Sequence, residues 1–266
     1  MKQNHKADTK EEFEKRDFWQ NKYQNSPNKA KNSAISPPLE NFAHEKVNFA
    51  KFSKQITTIF SLLEKTHQPT MLELLGDYTP FQMLVMTLLS ARAKDATTIP
   101  IVVEMFKLYP TPADFVKLPQ EQLEKMIYKI GFFRAKAKHV KELSKILIEK
   151  FEGVVPDTFE ELTSLPGVGR KTANCILAYT FKKPAIAVDI HVHRISNRLG
   201  WVKSLKPEET EEELKKIISR DQWINVNRLL VGHGQTVCLP RNPRCDVCPI
   251  LEYCDFGRKR KMKEKF

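Results

Sequence analysis

The sequence predicts an all-α protein. Apolar residues recur at three- and four-residue spacing in one segment after another. Pro69, Pro80, Gly131, Gly153 and Gly200 fall at the joints between those segments, where they stop or start a helix. No run alternates apolar and polar residues convincingly enough to read as a strand.

Phe49, Phe52, Ile56, Ile59, Phe60 and Leu63 fall on one face of a helix over 48–65, which Pro69 ends. Pro80 starts a helix over 81–92 that is apolar nearly all round, as a buried central helix must be. Asp95 is placed to cap the next helix, which runs to Leu108. Tyr109-Pro-Thr-Pro112 then turns the chain. Helices follow at 112–117, 119–130 and 132–151, with Gly131 dividing the last two and Gly153 closing the series. Asp157 with Glu160 three residues on reads as a helix start. The turn Leu165-Pro166-Gly167-Val168-Gly169 cannot continue a helix, and a second helix runs over 170–181, so 157–181 is helix, hairpin, helix. Asp189 reads as the N-cap of a helix over 190–199, and helices at 207–219 and 223–232 complete the set.

The chain has 266 residues and a net charge of +12, a balance that suits a polyanion such as nucleic acid or an anionic membrane surface. No apolar run reaches the roughly 18 residues of a membrane span, and the N-terminus has neither a signal-peptide core nor the acid-poor composition of a transit peptide. A cytoplasmic or nucleoid location is expected, nuclear in a eukaryote, and not secretion. Residues 1–45 are polar, and their Lys, Asn and Gln content reads as a mostly disordered extension. Phe13, Phe18 and Trp19 are the only groups there suited to dock. The tail 258–266 carries six bases and one acid, a solvated end that adds non-specific attraction to DNA.

Gly167 and Gly169 leave backbone N–H groups bare at a helix N-terminus, which is an anion site. Lys171 lies in the first turn of that helix, where the macrodipole disfavours a cation by roughly 0.3–1 kcal/mol. Arg170 beside it adds like-charge repulsion. Both effects favour the neutral amine, which is a nucleophile able to form a Schiff base, although the same lysine could simply pair with a phosphate. GVGRKT is not an NTPase P-loop. Arg170 separates Gly from Lys, the spacer between the glycines is too short, and no strand precedes it. Asp189, His191 and His193 do not form a metal site, because residues two apart on a helix do not share a face.

Cys238, Cys245, Cys248 and Cys254 fall within 17 residues, spaced x6, x2 and x5. Four thiols so close in a reducing compartment indicate a metal or cluster site rather than disulfides. The spacing admits both zinc and [4Fe–4S]. Arg241 and Arg244 lie inside the loop and would turn positive charge outward. Cys175, one turn beyond Lys171, reads as a small buried hydrophobe.

Taken together, LPGVGRKTAN, a Val-Asp pair eighteen residues after the Lys, and the C-x6-C-x2-C-x5-C loop resemble the endonuclease III family of DNA glycosylases. The resemblance runs from about Asn48 to Tyr253. It implies a helix-hairpin-helix glycosylase fold with a cleft between two helical domains. One would be a six-helix barrel domain over 73–183. The other, over 46–72 and 184–257, would carry a [4Fe–4S] cluster on the four cysteines as a structural group. The implied activity is removal of oxidised or ring-saturated pyrimidines, such as thymine glycol, from duplex DNA with the damaged base flipped out. Lys171 would form the Schiff base that permits strand nicking by β-elimination, and Asp189 would support the cationic sugar. Gly167, Gly169, Arg170 and His191 would contact the DNA backbone. Arg92 stands where bacterial members commonly have Gln, in the stretch that fills the gap left by the flipped base. Phe132 takes the place of an aliphatic wedge, and Ile190 stands where Thr is usual. A monomer is expected. Three other functions were weighed: a monofunctional mismatch glycosylase, which would lack Lys171; a non-catalytic DNA-binding protein, which would not need Lys171 and Asp189 together; and an iron–sulfur electron carrier, which would leave most of the chain unused.

Overall fold

The computed structural model describes residues 40–75 and 78–263, with side chains from Phe52 onward. The expectations for residues 1–39 and for the last three residues of the tail lie outside the described residues.

Every regular element among the described residues is a helix. In chain order these are α1 (Glu40–Glu64), α2 (Met71–Leu74), α3 (Pro80–Ser90), α4 (Asp95–Leu108), α5 (Pro112–Lys117), α6 (Gln120–Ile127), α7 (Phe133–Phe151), α8 (Phe159–Ser164), α9 (Arg170–Cys175), α10 (Ile190–Leu199), α11 (Pro207–Ile217), α12 (Trp223–Thr236) and α13 (Asp255–Lys263). A π turn, Ile176–Thr180, continues α9.

Two apolar cores organise the described chain. The first gathers buried side chains from Leu72 to Ala187 and is centred on α3, where Leu84, Val85 and Leu89 are 0 % exposed. That burial fits a helix apolar on all faces. Phe115 on α5 closes this core with edge-to-face contacts to Phe81 at 5.5 Å, Tyr109 at 6.4 Å and Phe106 at 6.5 Å. The second core joins Ile56, Ile59, Phe60 and Leu63 of α1 to α10, α11, α12 and Ile250.

Residues 184–188 cross between the cores in extended form. Successive side chains on extended backbone point to opposite sides. Ala185 and Ala187 accordingly join the first core, and Ile186 and Val188 the second.

Several boundaries differ from expectation for local reasons. α1 begins at Glu40, well before residue 48. α3 stops at Ser90, so Arg92 lies outside it with φ 54°. Asp95 is the first residue of α4 and Lys94 occupies the cap, so Asp95 is no N-cap. Thr158, not Asp157, caps α8 by accepting from Glu161 N at 3.3 Å; Asp157 pairs instead with Lys183 at 2.6 Å. α6 ends at Ile127, and α7 starts after Phe132, which has φ 60°. α12 runs through Gly232, because that glycine is a close-approach site and not a stop. A Cβ there would meet His67 Nδ1 at 2.9 Å.

Replacing Phe115 with Ala should lower unfolding free energy by about 3–5 kcal/mol, since it empties a ring-sized volume that three aromatic neighbours cannot collapse to fill. Chemical denaturation of both proteins measures the difference.

Candidate nucleic-acid interface and cluster site

The hairpin turn between α8 and α9 uses its two glycines differently. Gly167 has φ 78°, and a Cβ on it would lie 2.8 Å from His139 Nδ1 of α7, so neither backbone nor packing admits a side chain. Gly169 is the N-cap of α9, and a Cβ there would meet no atom within 4 Å. Packing does not demand glycine at 169. It leaves open space in front of the N–H groups that begin α9, where an anion can approach.

Lys171 is the second residue of α9. By surface area its side chain is exposed, yet protein atoms crowd its ammonium, as at the floor of an open cleft. The surface area decides the chemistry, because the amine is reachable from solvent. The ammonium is held above the ordinary lysine range by Cys175, were that thiol ionised, against burial, and by Asp189 and Asp95. Burial pushes the Cys175 thiol up in its turn, so at neutral pH it is uncharged and the carboxylates do the holding. The neutral amine expected from the macrodipole and Arg170 is therefore not the resting state. Arg170 does not repel it either. Its guanidinium donates to Glu211 at 2.7 and 3.0 Å and also reaches Glu212. The arginine expected to meet DNA is committed to α11.

Asp189 caps α10 as expected. Its Oδ1 accepts from His191 N at 2.8 Å and Val192 N at 2.9 Å. Both bonds go to one oxygen, which fixes the carboxylate and leaves Oδ2 with neither. The backbone before it is held by side chains. Asn174 of α9 donates to Ile186 O at 3.0 Å, and Asn227 of α12 donates to Ala187 O at 2.7 Å. Tyr179 donates to Asn227 Oδ1 at 2.8 Å. Asn174 is three residues beyond Lys171, so one turn of α9 carries the lysine and the clamp that sets where Asp189 begins.

Asp95, expected only as a helix cap, is brought by the fold into the field of Lys171, His191 and Asp189. Burial raises its carboxyl, opposed by Lys171 and His191 and helped by Asp189. His191 sits 3.0 Å from Arg194 Nη2, and burial, with Arg194, holds its imidazolium below the ordinary range. His193 turns away to Thr210 at 2.6 Å, so the two histidines share no site. Arg92 and Phe132 are both exposed, Phe132 at 66 %, which excludes a core role for that ring. Their loops adjoin, since a Cβ on Gly131 would lie 3.6 Å from Arg92 O. Ile190 is 72 % exposed beside Asp189, and nothing in the structure explains why Ile stands there.

Cys238, Cys245, Cys248 and Cys254 line one cavity, walled by Ile195, Leu199, Val237 and Ile250. Arg198 donates to Cys238 Sγ at 3.3 Å, Gly257 N donates to Cys254 Sγ at 3.4 Å, and His233 Nε2 lies 3.7 Å from Cys248 Sγ. N–H groups aimed at sulfur are what thiolate ligands of a cluster require. Among the described residues no three Cys, His, Asp or Glu converge on a point that could hold a single metal ion. Four sulfurs set around a shared cavity suit a polynuclear cluster better than zinc, whose thiolates must all lie about 2.3 Å from one centre. Arg241 and Arg244 are exposed, as expected.

The fold thus sets Lys171 in the first turn of a hairpin helix, brings Asp189 and Asp95 into its field and gathers four thiols about one cavity. Residues 85–220 match the family model described as HhH-GPD superfamily base excision DNA repair protein, and 238–254 match the iron-sulfur binding domain of endonuclease III. Endonuclease III of Thermotoga maritima is 50 % identical over 181 residues, which cover 68 % of this chain and 85 % of that protein. A non-covalent endonuclease III–DNA complex superposes with TM-score 0.73 at 37 % identity, covering 79 % of this chain and 98 % of that one. A trapped endonuclease III–DNA covalent intermediate gives 0.70 at 36 %, with the same coverage. The chain belongs to the endonuclease III family, the DNA glycosylases and abasic-site lyases of base excision repair, and its cofactor is a [4Fe–4S] cluster.

Asn174→Ala leaves the buried Ile186 carbonyl without its donor, which should destabilise the protein by about 1–3 kcal/mol and lower activity through misplacement of Asp189. Thermal melting and single-turnover rates on the same preparation test both effects. Glu211→Gln should cost about 1–3 kcal/mol at neutral pH, a moderate loss because Arg170 can regain water. Burial raises the Glu211 carboxyl, but Arg170 and Lys215 outweigh it and hold it below the usual range. A depressed folded value stabilises above the unfolded one, about 4.3, and that contribution is lost as pH falls through the folded value. The gap between wild type and E211Q in denaturant titrations should therefore narrow below about pH 4.

Proposed function

We propose that Lys171 is the nucleophile and Asp189 its supporting carboxylate in removal of oxidised or ring-saturated pyrimidines from duplex DNA. The observation that carries this is the solvent-reachable Lys171 amine at the start of α9, in the field of Asp189, next to an anion site with open approach. Such pyrimidines stack poorly and are cheap to flip out. Once deprotonated, Lys171 Nζ attacks C1′ of the flipped nucleotide. The N-glycosidic bond breaks, and the base leaves with the bonding electrons and takes up a proton. Asp189 would support the positive charge that develops on the sugar, an electrostatic contribution of the kind that dominates many active sites. Ring opening gives an imine between Nζ and C1′. Loss of a 2′ proton then expels the 3′ phosphate and nicks the strand.

The bare N–H groups at Gly167 and Gly169 would hold a phosphate, with His191 near the same strand. Arg92 would face the base opposite the lesion, where a guanidinium can donate to a guanine edge. Phe132 would wedge between bases, as an exposed aromatic can. Arg170 is better read as the strut between α9 and α11. Cys238, Cys245, Cys248 and Cys254 would hold the cluster, which supplies no reacting atom and fixes the loop carrying Arg241 and Arg244. The division into domains 73–183 and 46–72 with 184–257 is supported by the two apolar cores, although Leu72, Ala185 and Ala187 of the second range pack in the first core, and the protein would act as a monomer at the nucleoid. No helix among the described residues is long and apolar enough to cross a membrane.

Borohydride trapping tests the reading. Wild type should give a covalent band on duplexes bearing thymine glycol and on abasic duplexes, and Lys171→Ala should give neither. Because carboxylates hold the ammonium above its ordinary range, the free-amine fraction, and with it the trapping rate, should climb as pH rises through neutrality. Binding by both proteins without trapping by either would overturn the assignment.

A further inference from the structure

Among the described residues Lys136 is the one lysine buried by surface area, at 7 % exposed. In sequence it belongs to the lysine-rich run RAKAKHVKELSK of α7, but it shares a helical face with Val140, Leu143 and Leu147, at i+4, i+7 and i+11, which are buried. Its ammonium points inward and donates to Leu89 O at 2.9 Å and Ala91 O at 2.7 Å. Both acceptors are backbone carbonyls at the C-terminal end of α3, where the macrodipole favours a cation. Burial alone pushes this ammonium down. A long cation is ordinarily kept at the surface, so its burial here needs a structural reason.

The reason lies in what flanks each bond. Ala91, whose carbonyl Lys136 holds, immediately precedes Arg92, which has φ 54°. The backbone N of Lys136 donates to the carbonyl of Phe132, which has φ 60°, at 3.1 Å. Two bulky exposed residues thus stand in the left-handed region, where side chains persist only if the surroundings over-determine them. The Lys136 side chain holds the end of the Arg92 loop, and it does so from the first turn of α7, whose opening helical bond is made to Phe132 O. The Gly131 position, 3.6 Å from Arg92 O through its would-be Cβ, keeps the loops adjacent.

We propose that Lys136 is a positioning residue that locks the Arg92 and Phe132 loops into one rigid unit, so that both side chains enter the duplex in a fixed relation. The inference rests on the reading that these two residues enter DNA. Lys136 itself touches no reacting atom. Its loss acts on opening of the duplex rather than on bond making at Lys171. A lysine held only by carbonyls also explains why no carboxylate is needed beside it. An acid there would add negative charge against the incoming phosphates.

The test compares Lys136→Met with Arg92→Ala and Phe132→Ala in the full chain with its cluster. Two single-turnover rates are measured for each: base removal from a thymine glycol duplex, and cleavage of an abasic single-stranded oligonucleotide, which needs no duplex opening. K136M should slow the first by about tenfold more than the second. Added to R92A, it should slow the duplex reaction by much less than the product of the two single effects, because both act on one unit. Merely structural damage would slow both substrates alike and combine multiplicatively. Equal slowing on both, or an unchanged duplex rate in K136M while R92A and F132A are slow, overturns the proposal and leaves the insertion reading standing. If R92A and F132A both retain the wild-type duplex rate, the insertion reading falls and the proposal with it. Melting curves check the fold. Should K136M not fold, Lys136→Gln, which keeps a donor for one carbonyl, carries the same comparison.

Discussion

A buried extended segment has no partner strand to take its hydrogen bonds, and residues 185–188 are such a segment. Unpaired carbonyls there would cost about 1–3 kcal/mol each. Asn174 and Asn227 supply the missing donors from opposite sides, one from α9 and one from α12. The alternation of Ala185 and Ala187 with Ile186 and Val188 divides the segment between the two cores. Neither core can then shift against the other without breaking a buried hydrogen bond. The position of Asp189 follows, because it is the next residue and its backbone opens α10. Lys171 follows too, because it shares a helical turn with Asn174. The placement of Lys171 relative to Asp189 is set by packing of two cores, not by a loop.

Charge around that pair runs against the charge of the whole. The chain is strongly basic, yet two acids, Asp189 and Asp95, act on Lys171. Glu211 and Glu212 take up Arg170, which removes the cation that would otherwise crowd the amine. What remains is an ammonium between carboxylates, poised for a polyanion that would hold the proton still more tightly. Removing that proton is therefore a real part of the reaction, not a preliminary that the helix dipole completes in advance. The macrodipole contributes tenths of a kcal/mol at an exposed first turn, and carboxylates at short range outweigh it.

The elements with a local cause were legible. Pro166 and the two glycines make the hairpin wherever they occur, Asp189 caps because of its own side chain, and the four cysteines are informative by spacing alone. The contacts that organise the site have no such signature. Arg170 meets Glu211 across 41 residues, and Lys136 meets Leu89 across 47. On a helical wheel Lys136 falls on the face of Val140, Leu143 and Leu147, but only the fold supplies its partners, the carbonyls of α3. Asp95 was read as a cap because caps are common. Its actual surroundings come from α9 and α10, which no window around residue 95 contains. The Asp157 misreading is of another kind: two adjacent residues could cap, and the pairing of Asp157 with Lys183 left the cap to Thr158.

The cluster loop is tied to the same helix that Asp189 begins. Arg194 donates to Cys238 O at 2.9 Å and Gly234 O at 3.2 Å, and Arg198 donates to Leu239 O at 2.7 Å and Pro240 O at 2.9 Å. These guanidiniums are drawn towards sulfur as well as towards carbonyls. Burial pushes the Cys248 thiol up to about 11 and raises that of Cys254, so unligated they would be neutral at physiological pH. Ligation requires the deprotonated form, and its free energy is then folding free energy for the elements it joins. With thiolates in place the two arginines of α10 gain partners worth more than neutral thiols. The cluster and α10 thus stabilise one another, and a group remote from the reacting atoms bears on the site through the rigidity of the helix that presents Asp189.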